Sequence, residues 1–357
     1  MDYEKTITYF ENSFLSSLLK QENVTDIFYN GRSIFYLDNY LGRRKSNIHP
    51  GINEVRDFIR QLSFLCEKQF SYQNPYLDVS IGRYRLNAVH QSIGRIGNQE
   101  ALTFSIRIAS TKPQITEDNG FLSPELCVLF KVLLSSKLSL AIGGVTGSGK
   151  TEFQKYLLRS LAPFTRVIII DNVLELESVR DGSQADITTW LYDDRQSGVA
   201  IQTLVRNALR SNPDWLIVAE SRGGEMQELL NSMMTGHPII TTIHALDVEG
   251  MPYRMSRMVM MNEGKMDYED VKNDLLYHLR FFVYLKHDID EKGKSHRYIS
   301  EINYLDEKGN KAHIYRYQKG REIYEKLPKT ATKLLKFSEK DELFIKTFIN
   351  QEEDNNE

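Results

Sequence analysis

Gly144-Val145-Thr146-Gly147-Ser148-Gly149-Lys150-Thr151 fits GxxxxGK[ST] and constrains the fold more than any other stretch of this chain. It follows an apolar run at 138–142 and opens a helical segment, which is the strand, loop and helix order in which this pattern works. Glycines let the backbone wrap an anion, successive N–H groups at a helix N-terminus hold it, and a lysine adds a mobile cation. Gly144, Thr146, Gly147, Ser148, Gly149, Lys150 and Thr151 are therefore expected to hold the phosphates of ATP or GTP, with the Thr151 hydroxyl on Mg2+.

Such a loop needs a sheet around it. Short apolar runs at 138–142, 167–170, 215–218, 239–242 and 281–285 alternate with helix-length segments, the pattern of a parallel sheet covered on both faces. The N-terminal part reads differently. A helix is expected over 7–20, a hairpin from 26–29 and 33–37 across Asn30-Gly31-Arg32, a helix over 55–66, and strands at 77–80, 83–89 and 101–108. The expected organisation is an α+β domain over 1–109, a breaker-rich linker over 110–122, an α/β domain over 123–337 and an acidic, solvated tail over 338–357. The chain of 357 residues is long enough for two cores, since single cores stop growing near ~250–300 residues.

Charge and cysteine content narrow the function classes. A net charge of -3 gives no general pull toward nucleic acid, so direct nucleic-acid binding is not expected. Cys66 and Cys127 form no CxxC pair, which excludes a cysteine zinc site and fits a reducing cytoplasm. Acidic residues in the first turns argue against a signal peptide, and Lys131 interrupts the apolar run at 126–134, so no membrane span is expected. Met251, Met255 and Met258 at helical spacing read as core, and the basic stretch over 319–336 as a solvated face.

Hydrolysis of a bound nucleotide needs carboxylates at neighbouring strand ends. The run at 216–219 ends in Glu220, and the run at 167–170 ends in Asp171, with Glu175 following. Glu220 is a candidate to orient Mg2+ indirectly or to polarise water, and Asp171 or Glu175 a candidate general base.

The segment from Leu209 to Glu225, with Asn212-Pro213-Asp214 and Glu220-Ser221-Arg222, resembles the Walker B region of secretion traffic ATPases. Thr235-Gly236-His237 through Thr242-Ile243-His244-Ala245 is similar to that family's histidine box. Val24 to Gly31, Gly82 to Asn87 and Arg297 to Ile302 resemble the branch serving conjugation systems and Tad-type pili, and the four-cysteine insertion of the longer type II enzymes is missing. The resemblance implies a RecA-like P-loop NTPase core with a smaller α+β N-terminal domain, assembled as a homohexamer that uses ATP and Mg2+. It also implies membrane-embedded secretion or pilus platform proteins as partners, and a peripheral place on the cytoplasmic face of the cell membrane. Arg85 and Arg107 would be the N-domain arginines that reach the phosphates, and His244 a sensor of the γ-phosphate. The family's acidic box begins Glu-Asp, whereas this chain has Asp171-Asn172, which leaves the base assignment between Asp171 and Glu175 open. Two readings follow: a motor that hydrolyses ATP, or an ATP-binding scaffold with little turnover. A DNA translocase, the third use of such a core, is disfavoured by the charge balance.

Overall fold

A computed structural model describes residues 3–110, 112–172, 174–192, 200–261, 266–291 and 294–350. The chain divides into two compact units, Met1–Lys112 with Asp288–His296, and Pro113–His287 with Arg297–Glu357.

In the first unit, six antiparallel-paired strands form one sheet in the order Gly42–Lys45, Ile34–Asp38, Val24–Tyr29, Thr103–Ile108, Tyr84–Val89 and Tyr76–Ile81. Alternation gives this sheet two faces. Ile27, Leu86 and Ile106 are buried with Phe10, Leu15, Val55, Phe58 and Ile59, while Asp26, Arg85, Asn87, Ser105 and Arg107 alternate with them on the other face. Gly31 closes the expected hairpin with φ 88°, a conformation natural to glycine. The helix expected over 7–20 is instead two, Tyr3–Glu11 and Ser16–Leu19. Its apolar spacing was real, but Asn12-Ser13 interrupts the helix, with Ser13 Oγ accepting the Leu15 N–H at 3.3 Å.

The second unit holds a nine-stranded sheet ordered Asp186–Leu191, Arg166–Asp171, Trp215–Val218, Ile239–His244, Leu140–Gly144, Phe281–Ile289, Ser295–Leu305, Lys311–Gln318 and Arg321–Tyr324. The first six pair in parallel, and the last three run as an antiparallel extension. The parallel strands are apolar on both faces because both are covered. Val167, Ile169, Trp215 and Ile217 share a core with Phe130, Phe153 and Leu157. Ile168, Ile170, Leu216 and Val218 share the opposite one with Met226, Leu230, Met255 and Leu275. Each fully buried Leu, Ile or Phe contributes about 1.5–3 kcal/mol, so these two layers carry most of the unit's stability. Met251, Met255 and Met258 are core residues as their spacing suggested.

Two stretches differ from their sequence-based description. Of residues 110–122, those from Pro113 onward group with the second unit, and Ile115 and Leu122 are buried in its core. Within 338–357, the helix Glu342–Phe348 buries Phe344 and Phe348 completely, so this part is packed rather than solvated; residues 351–357 lie outside the described ones. Overall acidity masked two aromatic residues one helical turn apart. The basic stretch at 319–336 includes the edge strand Arg321–Tyr324, whose charged, exposed residues protect an open sheet edge. Among the described residues no helix is long and apolar enough to cross a membrane.

Candidate nucleotide site

Strand register builds the site. Gly144 ends its strand opposite His244 on one side and Leu285 on the other, so the phosphate loop emerges between those two neighbours. In a parallel sheet all carboxyl ends lie on one edge, which brings Asp171, Glu220 and His244 to the edge that carries the loop.

The loop itself is glycine-dependent. A Cβ on Gly144 would sit 2.4 Å from Ser148 Oγ and 2.6 Å from the Leu285 carbonyl, closer than real contacts allow. Gly149 caps the helix Lys150–Arg159 at φ 94°, in the left-handed region that turns the chain from loop to helix. Val145, Thr146 and Gly147 are exposed at the crown, Thr151 is half-buried, and Ser148 is fully buried with no hydrogen-bond partner for its Oγ among the described residues. Lys150 donates from Nζ to the carbonyls of Gly144 at 2.9 Å and Val145 at 3.0 Å. A cradle that excludes side chains, an unpartnered hydroxyl and a cation folded over carbonyls fit a polyphosphate with Mg2+ on Thr151.

Lys150 also connects the loop to the carboxylate. Its Nζ lies 3.4 Å from His244 Nδ1, and because an ammonium only donates, Nδ1 accepts. The proton then sits on Nε2, which faces Glu220 Oε1 at 3.1 Å. Arg222 donates to the other oxygen, Oε2, at 2.7 Å. Burial raises the Glu220 carboxyl, but the hydrogen bond and charge of Arg222, followed by the charges of His244 and Lys150, hold it below the usual carboxylate range. Burial, and then the Lys150 charge, hold the His244 imidazole below its ordinary value. The structure thus joins Lys150, His244 and Glu220 in one chain of contacts. Behind it, Thr242 Oγ1 donates to the Ala219 carbonyl at 2.7 Å, and Gln154, fully buried, donates to the carbonyls of Val218 and Ile240 at 3.3 Å each.

The other candidates separate. Asp171 is buried, and its Oδ2 accepts the Leu176 N–H at 3.1 Å. Glu175 opens the short turn Glu175–Val179, whose Leu176 and Val179 pack in the same core as Phe153 of the loop's helix. His237 lies before the opposite end of the Ile239–His244 strand and contacts Thr235 Oγ1 at 3.1 Å.

Arg85 and Arg107, in the first unit, are directly opposite each other on adjacent antiparallel strands. Like charges in that position repel. The face supplies two acids in answer: Asp78 lies 3.2 Å from Arg85, and Asp26 lies 3.6 Å from Arg107. Sequence reasoning missed Asp26 and Asp78, since only register reveals them. It also passed over Arg222, although that residue stood within the motif that drew attention to Glu220.

The model of the family described as type II/IV secretion system protein matches residues 95–353. An uncharacterized Bacillus anthracis protein is 30% identical over 268 residues, covering 74% of this chain and 59% of that protein. This chain therefore spans less than two thirds of that relative. The type IV secretion system protein VirB11 of Brucella suis is 32% identical over 170 residues, 46% of each chain. Among solved structures, the Legionella pneumophila ATPase DotB shares the fold with a TM-score of 0.59 at 20% identity, covering 82% of this chain and 79% of that one.

Proposed function

The chain belongs to the type II/IV secretion system protein family, and from that premise we propose that it is a hexameric ATPase motor, hydrolysing ATP with Mg2+ to power type IV secretion, conjugative transfer or Tad-type pilus assembly. The observation that carries this reading is the contact chain from Lys150 through His244 to Glu220 at the mouth of a glycine-lined anion cradle.

In this reading the loop N–H groups and Lys150 bind the β- and γ-phosphates, and Thr151 holds Mg2+ with Glu220 acting on it indirectly. The bound metal supplies charge neutralisation as the γ-phosphoryl departs. Lys150 leaves the Gly144 and Val145 carbonyls for the phosphates, and with that ammonium gone His244 can take a proton on Nδ1, which then donates toward the γ-phosphate. Glu175 is favoured over Asp171 as the base that orients water, because Asp171 is buried and holds the Leu176 N–H. Arg85 and Arg107 supply positive charge to the leaving phosphate, linking hydrolysis to movement of the first unit. Membrane-embedded secretion or pilus platform proteins are its partners, at the cytoplasmic face of the cell membrane.

A second reading, an ATP-binding scaffold with little turnover, is favoured by Glu220: both of its oxygens are engaged, by Arg222 and His244. Steady-state ATP hydrolysis by the purified protein decides between them, with Lys150→Ala and Glu220→Gln alongside. Magnesium-dependent turnover lost in both variants supports the motor. Binding of ATP with turnover no higher than that of the variants sinks it in favour of the scaffold.

A further inference from the structure

The phosphate loop has a second flank, away from His244. Leu285 Cδ2 lies 3.9 Å, and Arg297 Cδ 3.6 Å, from where a Cβ on Gly149 would be; His287 Nδ1 lies 3.8 Å from the same position on Gly147. Arg297 then donates from Nε to the Gly147 carbonyl at 2.7 Å, joining residues 150 apart in the chain. Its aliphatic stem covers one loop glycine and its guanidinium fixes the peptide of another.

Fixing that peptide has a chemical consequence. A trans peptide is planar, so the Gly147 carbonyl and the Ser148 N–H point in opposite directions. With the carbonyl drawn toward Arg297, the Ser148 N–H is turned toward the loop interior, where it donates to the Val145 carbonyl at 3.3 Å. That bond is long, and an anion in the cradle can replace it. The guanidinium also adds a permanent positive charge beside the crown. We propose that Arg297 is a positioning residue for nucleotide phosphates, holding the Gly147–Ser148 peptide in its anion-binding orientation and so governing how long a nucleotide stays bound. Arg297 is the first residue after the Asp288–His296 segment that groups with the first unit, so the loop is gripped where the chain re-enters the second.

The inference rests on nucleotide binding by this loop, and the test separates the two. Dissociation of a fluorescent mant-ADP from the full chain with Mg2+ is followed by stopped flow for wild type, Lys150→Ala, Arg297→Ala, Arg297→Gln and Arg297→Lys. Losing one charge-assisted hydrogen bond is expected to speed dissociation about tenfold in Arg297→Ala and Arg297→Gln. Arg297→Lys, which still donates, recovers part of the loss, and the nucleotide-free melting temperature stays within about 2 °C of wild type. Unchanged dissociation in Arg297→Gln, with wild type binding and Lys150→Ala not, overturns the Arg297 role alone. A nucleotide-free melting temperature that falls in step with affinity overturns it as mere structural support. A wild type that binds no mant-ADP overturns both readings together.

Discussion

The two units hold their charges in contrasting ways. In the first, Arg85 and Arg107 stand side by side on a sheet face, 38% and 55% exposed, each with an aspartate at 3.2–3.6 Å. In the second, Glu220 is only 20% exposed and has a partner on each oxygen. Exposed pairs contribute only about 0–1 kcal/mol, so the first unit's arginines can exchange their aspartates for a polyanion at little cost. A half-buried carboxylate is costlier to disturb, because a partner that leaves exposes a charge that water cannot fully reach. One unit keeps its charge ready to move; the other keeps it in place.

The contrast breaks most sharply at the second unit. Lys150→Ala and Glu220→Gln are each expected to lower turnover at least ~100-fold, measured as steady-state phosphate release. Arg85→Ala and Arg107→Ala should lower kcat by about 10–100-fold while leaving nucleotide affinity and the melting temperature close to wild type. Because the two are cross-strand neighbours, the double variant should lose less than the product of the single losses; full additivity would mean they act separately. Asp171→Ala is expected to cost about 1–3 kcal/mol in urea unfolding by leaving the buried Leu176 N–H unpaired, and Glu175→Gln should cost turnover instead. The reverse pattern would make Asp171 the base.

The smallest effect is with pH. Both Glu220 and His244 have folded values below their unfolded ones, so on acidification the unfolded chain takes up protons first. The His244 contribution to stability is therefore complete above about pH 6.5 and is lost as pH falls below it, with Glu220 following below about pH 4.5. Denaturation midpoints across pH 5–7.5 should rise with pH in the nucleotide-free protein, and His244→Asn should flatten the upper part of that rise.

What was legible in the sequence was local. The phosphate loop, the strand ending at Glu220 and the histidine box each sit within one stretch of chain, and the parallel sheet that joins them follows from their alternation with helices. What escaped depended on register or on distant partners. Nothing near Arg85 points to Arg107, and Asp26 precedes the arginine it pairs with by a whole sheet's worth of chain. The strand Asp186–Leu191 was missed because its central Thr188 and Thr189 dilute the apolar signal of a sheet edge. Arg297 stood inside a stretch already noticed for its resemblance, but its reach to Gly147 spans most of the second unit.

The division of the chain also sets an order of assembly. The first unit is not contiguous: after Lys112 it gains Asp288–His296, whose Ser295 N–H bonds to the Tyr40 carbonyl at 2.9 Å. On a ribosome adding ~5–20 residues per second, that last piece emerges roughly ten to forty seconds after the rest. Nearly all of the second unit's parallel strands are synthesised in that interval. All six strands and the apolar core of the first unit precede Lys112, so the late segment joins strands already synthesised.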